Sequence, residues 1–89
     1  MSEIKKEKPT KEQIEKYLKE WSKWGCDVSK FDWEYGSDET AYIIEGEVDV
    51  TNEQGKITTI KAGELVTFPA GMKCIWNVKK PIKKVYTFE

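Results

Sequence analysis

Turn residues interrupt this sequence at short intervals from position 36 onward, so only short β-strands fit between them. Apolar and polar residues alternate between the turns, which is the period of a half-buried strand. The turns, each with a glycine or a proline, stand at 36–38, 52–55, 62–63, 70–71 and 79–81. We therefore predict seven strands, at 21–26, 30–35, 39–51, 56–60, 65–69, 73–78 and 82–88. Such a series of short strands is typical of a β-sandwich or β-barrel.

One helix is predicted before the strands, over residues 10–20. Gln13 follows Thr10 by three positions, which is the spacing of a capping box at a helix N-terminus. Apolar residues then recur at helical spacing and predict one buried stripe. The members of this stripe are Ile14, Tyr17, Leu18 and Trp21. The charged residues 1–8 are expected to be either flexible or a short edge strand.

Length and charge limit the classes of function. The sequence predicts one domain, 1–89, with the barrel over 21–88. Its 15 basic residues are all lysine and stand against 16 acidic residues. Nucleic-acid-binding domains usually carry a concentrated basic face, so we expect no nucleic-acid partner. We also expect no membrane association and a cytoplasmic location. No apolar stretch approaches the roughly 20 residues of a membrane-spanning helix, and the charged N-terminus does not resemble a signal peptide. Cys26 and Cys74 are then expected to be free thiols.

Five residues stand at spacings that resemble a known barrel family. Gly46 follows Glu39 by seven positions, and Gly63 precedes Pro69 and Gly71 by six and eight. These spacings resemble the two motifs of the cupin superfamily, and the likeness covers roughly residues 20–88. The chain looks like the small single-domain cupins of uncharacterised function, a group that includes cupin domains of ureidoglycine aminohydrolase and of an ethanolamine-utilisation protein. The resemblance implies an all-β fold, a jelly-roll β-barrel with one short N-terminal helix.

The sequence departs from the family at the metal site, because it contains no histidine. Catalytic cupins usually hold iron, manganese, nickel or zinc with three histidines and one glutamate. Glu39 stands at the acidic position, whereas the histidine positions fall on Trp33, Tyr35 and Cys74. One carboxylate and one thiol make a poor ligand set for such metals. We therefore predict no metal and no cofactor.

Strand alternation and the resemblance together predict which residues face the barrel interior. Glu39 and Lys84 are the candidate catalytic residues, and Lys84 is chosen by strand phase alone. The candidate ligand-binding residues are Trp33, Tyr35, Glu39, Cys74, Trp76 and Tyr86.

Each candidate has two open interpretations. Glu39 is either an acid, base or ligand partner, or one half of a buried ion pair with Lys84. The aromatic residues either line a pocket or fill the core. Cys74 is either a nucleophile or soft ligand, or a buried and inert thiol.

Three functions therefore remain open. The first is binding of a small polar metabolite inside the barrel without a metal. The second is an enzyme for a sugar derivative or ureide, in which Glu39 acts with Lys84 or Tyr86. The third is a structural or protein-interaction module with a filled barrel. A homodimer is considered as well, because Trp21 and Trp24 would form an apolar patch if both were exposed.

Overall fold

A computed structural model describes residues 4–88, which form seven strands and one helix. The all-β fold with one short helix, predicted from the sequence, is confirmed. The helix α1 is Lys11–Glu20. The strands are β1 Lys5–Glu7, β2 Ser22–Cys26, β3 Ser29–Glu34, β4 Glu39–Asn52, β5 Ile57–Lys61, β6 Leu65–Phe68 and β7 Lys73–Phe88.

All seven strands belong to one antiparallel sheet in which the two long strands each have different neighbours in their two halves. The first half of β4 pairs with β6, and its second half pairs with β5. The first half of β7 pairs with β3, and its second half pairs with β2. β4 and β7 also pair with each other along most of their length. The two long strands therefore join two layers that enclose the core between them.

The long strands bend where β4 passes Pro81. The β4–β7 register shifts repeatedly between Ile43 and Val48. Gly46 lies within this stretch with φ of 98°. A Cβ atom at Gly46 would overlap the carbonyl oxygen of Pro81 and lie 2.8 Å from the Cα of Ile82. Only glycine combines this backbone conformation with this approach, so the bend requires it.

The predicted turn at 79–81 is wrong, because β7 continues through these positions as one strand. Two predicted strands, 73–78 and 82–88, are therefore one. Pro81 has no register partner on β4, so its missing N–H removes no backbone hydrogen bond from the β4–β7 pairing. A proline normally indicates the end of a strand, but here it stands at an irregularity where the strand bends.

The core follows the alternation of the strands. Glu39, Ala41 and Ile43 are buried along one face of β4, as the sequence predicts. The same holds for positions 74, 76 and 78 of β7. The main core cluster comprises Tyr35, Ala41, Ile43, Val48, Val50, Ile60, Val66, Phe68, Cys74, Trp76, Val78 and Ile82.

The helix begins and ends as predicted, but it is less buried than predicted. Thr10 Oγ1 accepts a hydrogen bond from the backbone N–H of Gln13 at 3.2 Å, and Gln13 Oε1 accepts one from Thr10 N–H at 2.9 Å. None of the ten helical residues is buried, and Leu18 is 39% exposed. The helix lies against the sheet mainly through contacts with β7. Within residues 4–88 no helix is long and apolar enough to cross a membrane.

The N-terminal residues support the edge-strand alternative in part. Lys5–Glu7 pair with β6 as the short strand β1. Residues 1–3 of the predicted segment lie outside the described residues.

Candidate functional site

A pocket of about 150 Å³ opens from solvent into the barrel interior. Strands β2, β3, β4 and β7 all contribute side chains to it, and Tyr35 does so from the position directly after β3. Six predicted site residues line the pocket, namely Trp33, Tyr35, Glu39, Trp76, Lys84 and Tyr86. Their roles remain predictions, but the structure brings these six together. The remaining walls are Trp24, Phe31 and Phe88.

Glu39 and Lys84 form a buried ion pair in this pocket. Lys84 Nζ donates a hydrogen bond to Glu39 Oε2 at 2.6 Å. The two residues are only 3% and 7% exposed, respectively. Burial lowers the pKa of the Lys84 ammonium, while the Glu39 carboxylate opposes this shift. The pocket therefore holds a proton donor and a proton acceptor in direct contact.

Aromatic rings surround the Lys84 ammonium. Its Nζ lies 4.9 Å from the ring centroid of Trp76, 5.0 Å from that of Trp24 and 5.4 Å from that of Tyr86. Phe68 adds a fourth ring at 6.0 Å. An ammonium has three donors, and within the described chain Glu39 is the only acceptor for Nζ. The other N–H groups therefore face ring surfaces and the pocket.

The Tyr35 hydroxyl is a further polar group of the pocket. It accepts a hydrogen bond from Trp76 Nε1 at 3.1 Å. Burial raises the pKa of Tyr35, and the negative charge of Glu39 raises it further. The Tyr35 ring stacks on Phe68 with centroids 4.7 Å apart, which holds the ring in place. Tyr35 is therefore a neutral phenol whose own O–H can donate to a ligand.

Cys74 does not line this pocket, contrary to the prediction. Its thiol donates to the carbonyl oxygen of Trp33 at 3.6 Å, and the residue borders a different surface groove. Alternation predicts its inward face correctly, but it does not predict how far along the barrel the residue lies. Burial raises the pKa of Cys74 to about 11. These features agree with the inert-thiol interpretation.

We expect Cys74 to react slowly with iodoacetamide in the folded protein. A thiol with a pKa of about 11 is ionised roughly 100-fold less at pH 8 than one at the ordinary value of 9.0. The raised pKa also means that the thiol stabilises the fold below pH 9.0, and that this contribution is lost as the pH rises through about 11. Mass spectrometry should show alkylation at Cys26, which is half-buried, before Cys74. Equal rates in the native protein would contradict this, and equal rates in denaturant are the control.

The sequence interpretation missed four aromatic residues of the site. Phe31 shares a strand face with Trp33, and Phe88 shares one with Lys84, so alternation could have found both. Trp24, which the sequence suggests only as part of a dimer patch, lies opposite Lys84 where β2 pairs with β7. Phe68, whose ring lies near the Lys84 ammonium, comes from β6. Only strand pairing brings Trp24 and Phe68 to the site, and the sequence carries no signal for it.

The residues around Glu39 do not fit the metal site of the cupin superfamily. No group of three or more His, Cys, Asp or Glu side chains in the described chain could hold a metal ion. The Glu39 carboxylate is engaged by the Lys84 ammonium, whose positive charge would repel a cation at the same oxygen. The polar side chains that line this pocket include those of the Glu39–Lys84 ion pair and of Tyr35.

Comparison with known proteins relates the chain to one family. A sequence model described as an EutQ-like cupin domain matches residues 15–86. The crystal structure of a DUF861-family protein from Thermotoga maritima is 46% identical, with a TM-score of 0.92. That similarity covers 98% of this chain and 100% of the Thermotoga chain. A search of curated proteins found no significant match.

Two larger proteins share the fold over part of their length. The EutQ protein of Clostridium difficile is 28% identical with a TM-score of 0.66, covering 72% of this chain and 50% of that protein. A DUF861-family protein of unknown function from Pseudomonas syringae is 25% identical with a TM-score of 0.65. The match covers 72% of this chain and 28% of the Pseudomonas chain. The chain thus spans half or less of these two relatives.

Proposed function

Because the chain belongs to the EutQ-like cupin family, we propose that it binds a small polar metabolite in its barrel without a metal ion. The observation that carries this proposal is the open pocket, which is lined by the buried Glu39–Lys84 ion pair. A barrel that served only as a structural module would gain more stability from apolar packing than from a buried ion pair. A pocket that is open to solvent and lined by this buried ion pair supports ligand binding over that alternative.

The polar groups of the pocket can recognise a ligand that both donates and accepts hydrogen bonds. Lys84 has N–H groups without an acceptor in the described chain, and Tyr35 has a free O–H. Glu39 Oε1 receives no hydrogen bond from residues 4–88, so it is available as an acceptor. A planar amide or urea group, as in a ureide, meets both requirements, and so do the hydroxyls of a small sugar derivative.

The walls and the size limit the ligand to a compact molecule. Aromatic rings present flat faces that favour stacking on planar groups or sugar rings. The pocket volume of about 150 Å³ is near that of an engineered apolar cavity that binds benzene. Typical ligand pockets are larger, at about 300–1,000 Å³. A ligand of roughly the size of a single ring therefore fits best.

An enzyme with Glu39 as acid or base is the second candidate. The 2.6 Å contact with Lys84 favours it, since a proton can pass between the two groups. This candidate uses the same pocket and therefore also requires that a small molecule enter it.

Ligand binding can be measured by tryptophan fluorescence, because three of the four tryptophans line the pocket. We expect saturable changes with benzamide and phenylurea, and weaker ones with benzene, which cannot engage the ion pair. At ten times its dissociation constant, a ligand adds about 1.4 kcal/mol to the free energy of unfolding. For a domain of this size, that should raise the melting temperature by roughly 6–11 °C.

Two variants serve as a matched pair for this experiment. Trp33→Ala removes a pocket wall that is 49% exposed, so it should weaken benzamide binding while folding is retained. Ile57→Ala removes an exposed apolar side chain outside the pocket and should bind like wild type. A pocket that takes neither benzene nor any polar probe would overturn the proposal. If benzene bound as tightly as benzamide or more tightly, the proposal that the ligand is polar would be wrong.

A further inference from the structure

Lys84 differs from the other lysines of the described chain in its surroundings. It is the only buried lysine of residues 4–88, and it lines the pocket. Its neighbour Lys83 offers a direct comparison within one strand. The Lys83 side chain is 68% exposed, and its Nζ lies 3.7 Å from Glu45 Oε2. Both lysines thus face a glutamate, but only Lys84 does so inside a pocket.

The surroundings of Lys84 are those of a reactive amine. The ammonium is strongly desolvated, and burial lowers its pKa. Lysines removed from water in this way are the ones that proteins use to form imines with carbonyl compounds. Glu39 Oε2 lies 2.6 Å from Nζ and can accept the proton that must leave before the amine can attack.

From this geometry we infer that Lys84 forms an imine with a small aldehyde or ketone that enters the pocket. The inference rests on the proposed function in one respect, since it needs the same pocket to admit a small molecule. It goes beyond that function because it names a covalent step and the carbonyl group as the reacting class.

The step balances without any further reactant. Glu39 takes one proton from the Lys84 ammonium, and the free nitrogen attacks the carbonyl carbon to give a carbinolamine. The protonated Glu39 then returns its proton to the carbinolamine hydroxyl, which leaves as water. The product is a protonated imine on Lys84, so one ammonium and one carbonyl compound yield one iminium ion and one water. Water adds back by the reverse path, which makes the step reversible.

The pocket also suits the rest of the carbonyl compound. The Tyr35 hydroxyl is a neutral donor in the pocket and can bond to the carbonyl oxygen as charge develops on it. The rings of Trp24 and Trp76 lie about 5 Å from the nitrogen, and they can contact an apolar or planar substituent. The volume favours a compound of roughly one ring with a short substituent, such as benzaldehyde.

Reductive trapping tests this inference on the full chain. The native protein is treated briefly with benzaldehyde or propanal and sodium cyanoborohydride, and the alkylated lysines are quantified by tandem mass spectrometry. We expect Lys84 to be labelled at least about tenfold faster than Lys83, because Lys84 alone lies in the pocket, with Glu39 Oε2 2.6 Å from its Nζ to take the departing proton. In denaturant the two neighbours should be labelled at the same rate.

The same experiment separates this inference from the proposed function. Benzamide should protect Lys84 but not Lys83, because only Lys84 lies in the pocket. Labelling of Lys84 no faster than that of Lys83 in the native protein would overturn the inference. If benzamide still binds by fluorescence in that case, the proposed function stands without the imine. Preferential labelling of Lys84 with no benzamide binding would instead support the inference and overturn the polar-ligand proposal.

Discussion

Replacing Lys84 by methionine is expected to destabilise the protein by about 3–5 kcal/mol, because the Glu39 carboxylate would stay buried without its counter-ion. Methionine keeps a side chain of similar length, so little of the loss should come from a cavity. Within residues 4–88 no other side chain donates a hydrogen bond to Glu39. Urea denaturation followed by tryptophan fluorescence measures the change in the free energy of unfolding.

Two controls show whether the loss comes from the unpaired charge. Lys83→Met removes an exposed lysine whose partner Glu45 is also exposed, so we expect a change near zero. The double variant Glu39→Gln with Lys84→Met removes both charges, and it should recover most of the stability lost in Lys84→Met. If Lys84→Met and Lys83→Met had the same small effect, the ion pair would have no part in holding the barrel.

Gly46→Ala is the second substitution with a large expected effect. The positive φ of Gly46 costs about 1–2 kcal/mol for any residue with a Cβ. The overlap of that Cβ with the carbonyl of Pro81 involves backbone on both sides, and forced overpacking of this kind adds about 1–3 kcal/mol. We therefore expect a total loss of roughly 2–5 kcal/mol and a melting temperature lower by at least about 8 °C.

Gly63→Ala is the matched control for Gly46→Ala. Gly63 has φ of 91°, close to that of Gly46, but nothing lies within 4 Å of a Cβ placed there. Its substitution should cost only the backbone term, about 1–2 kcal/mol. The difference between the two variants measures the close approach at the bend. Equal melting temperatures for both would show that β4 and β7 can separate at this point without loss.

Much of the fold follows from local sequence patterns. The spacing of Glu39, Gly46, Gly63, Pro69 and Gly71 indicates the cupin fold, and the family match over residues 15–86 confirms it. The helix N-terminus follows from two residues three positions apart, because a capping box is a local structure. Such features depend on neighbours in the chain and can therefore be predicted before any tertiary contact is known.

The composition of the site follows from the sequence only in part. Alternation along β7 places Lys84 inward, and the resemblance places Glu39 inward, so the sequence indicates both members of the ion pair. The homodimer remains a prediction, and so do the roles of the individual site residues. Cys74 lies outside the pocket, and the sequence does not predict this because strand phase determines the face of a side chain but not its depth in the barrel.

The long-range pairings are what only the three-dimensional structure decides. The residue order does not reveal that Trp24 lies opposite Lys84, or that Phe68 approaches the same nitrogen, since these contacts join strands far apart in the chain. Nor does it reveal that β7 passes Pro81 without ending, because the bend depends on Gly46 of a different strand. Local propensity and alternation act over a few residues, and they therefore determine the strands and their faces. The aromatic rings around the Lys84 ammonium, the pocket and the 2.6 Å ion pair come together only when the sheet closes and brings distant positions into contact.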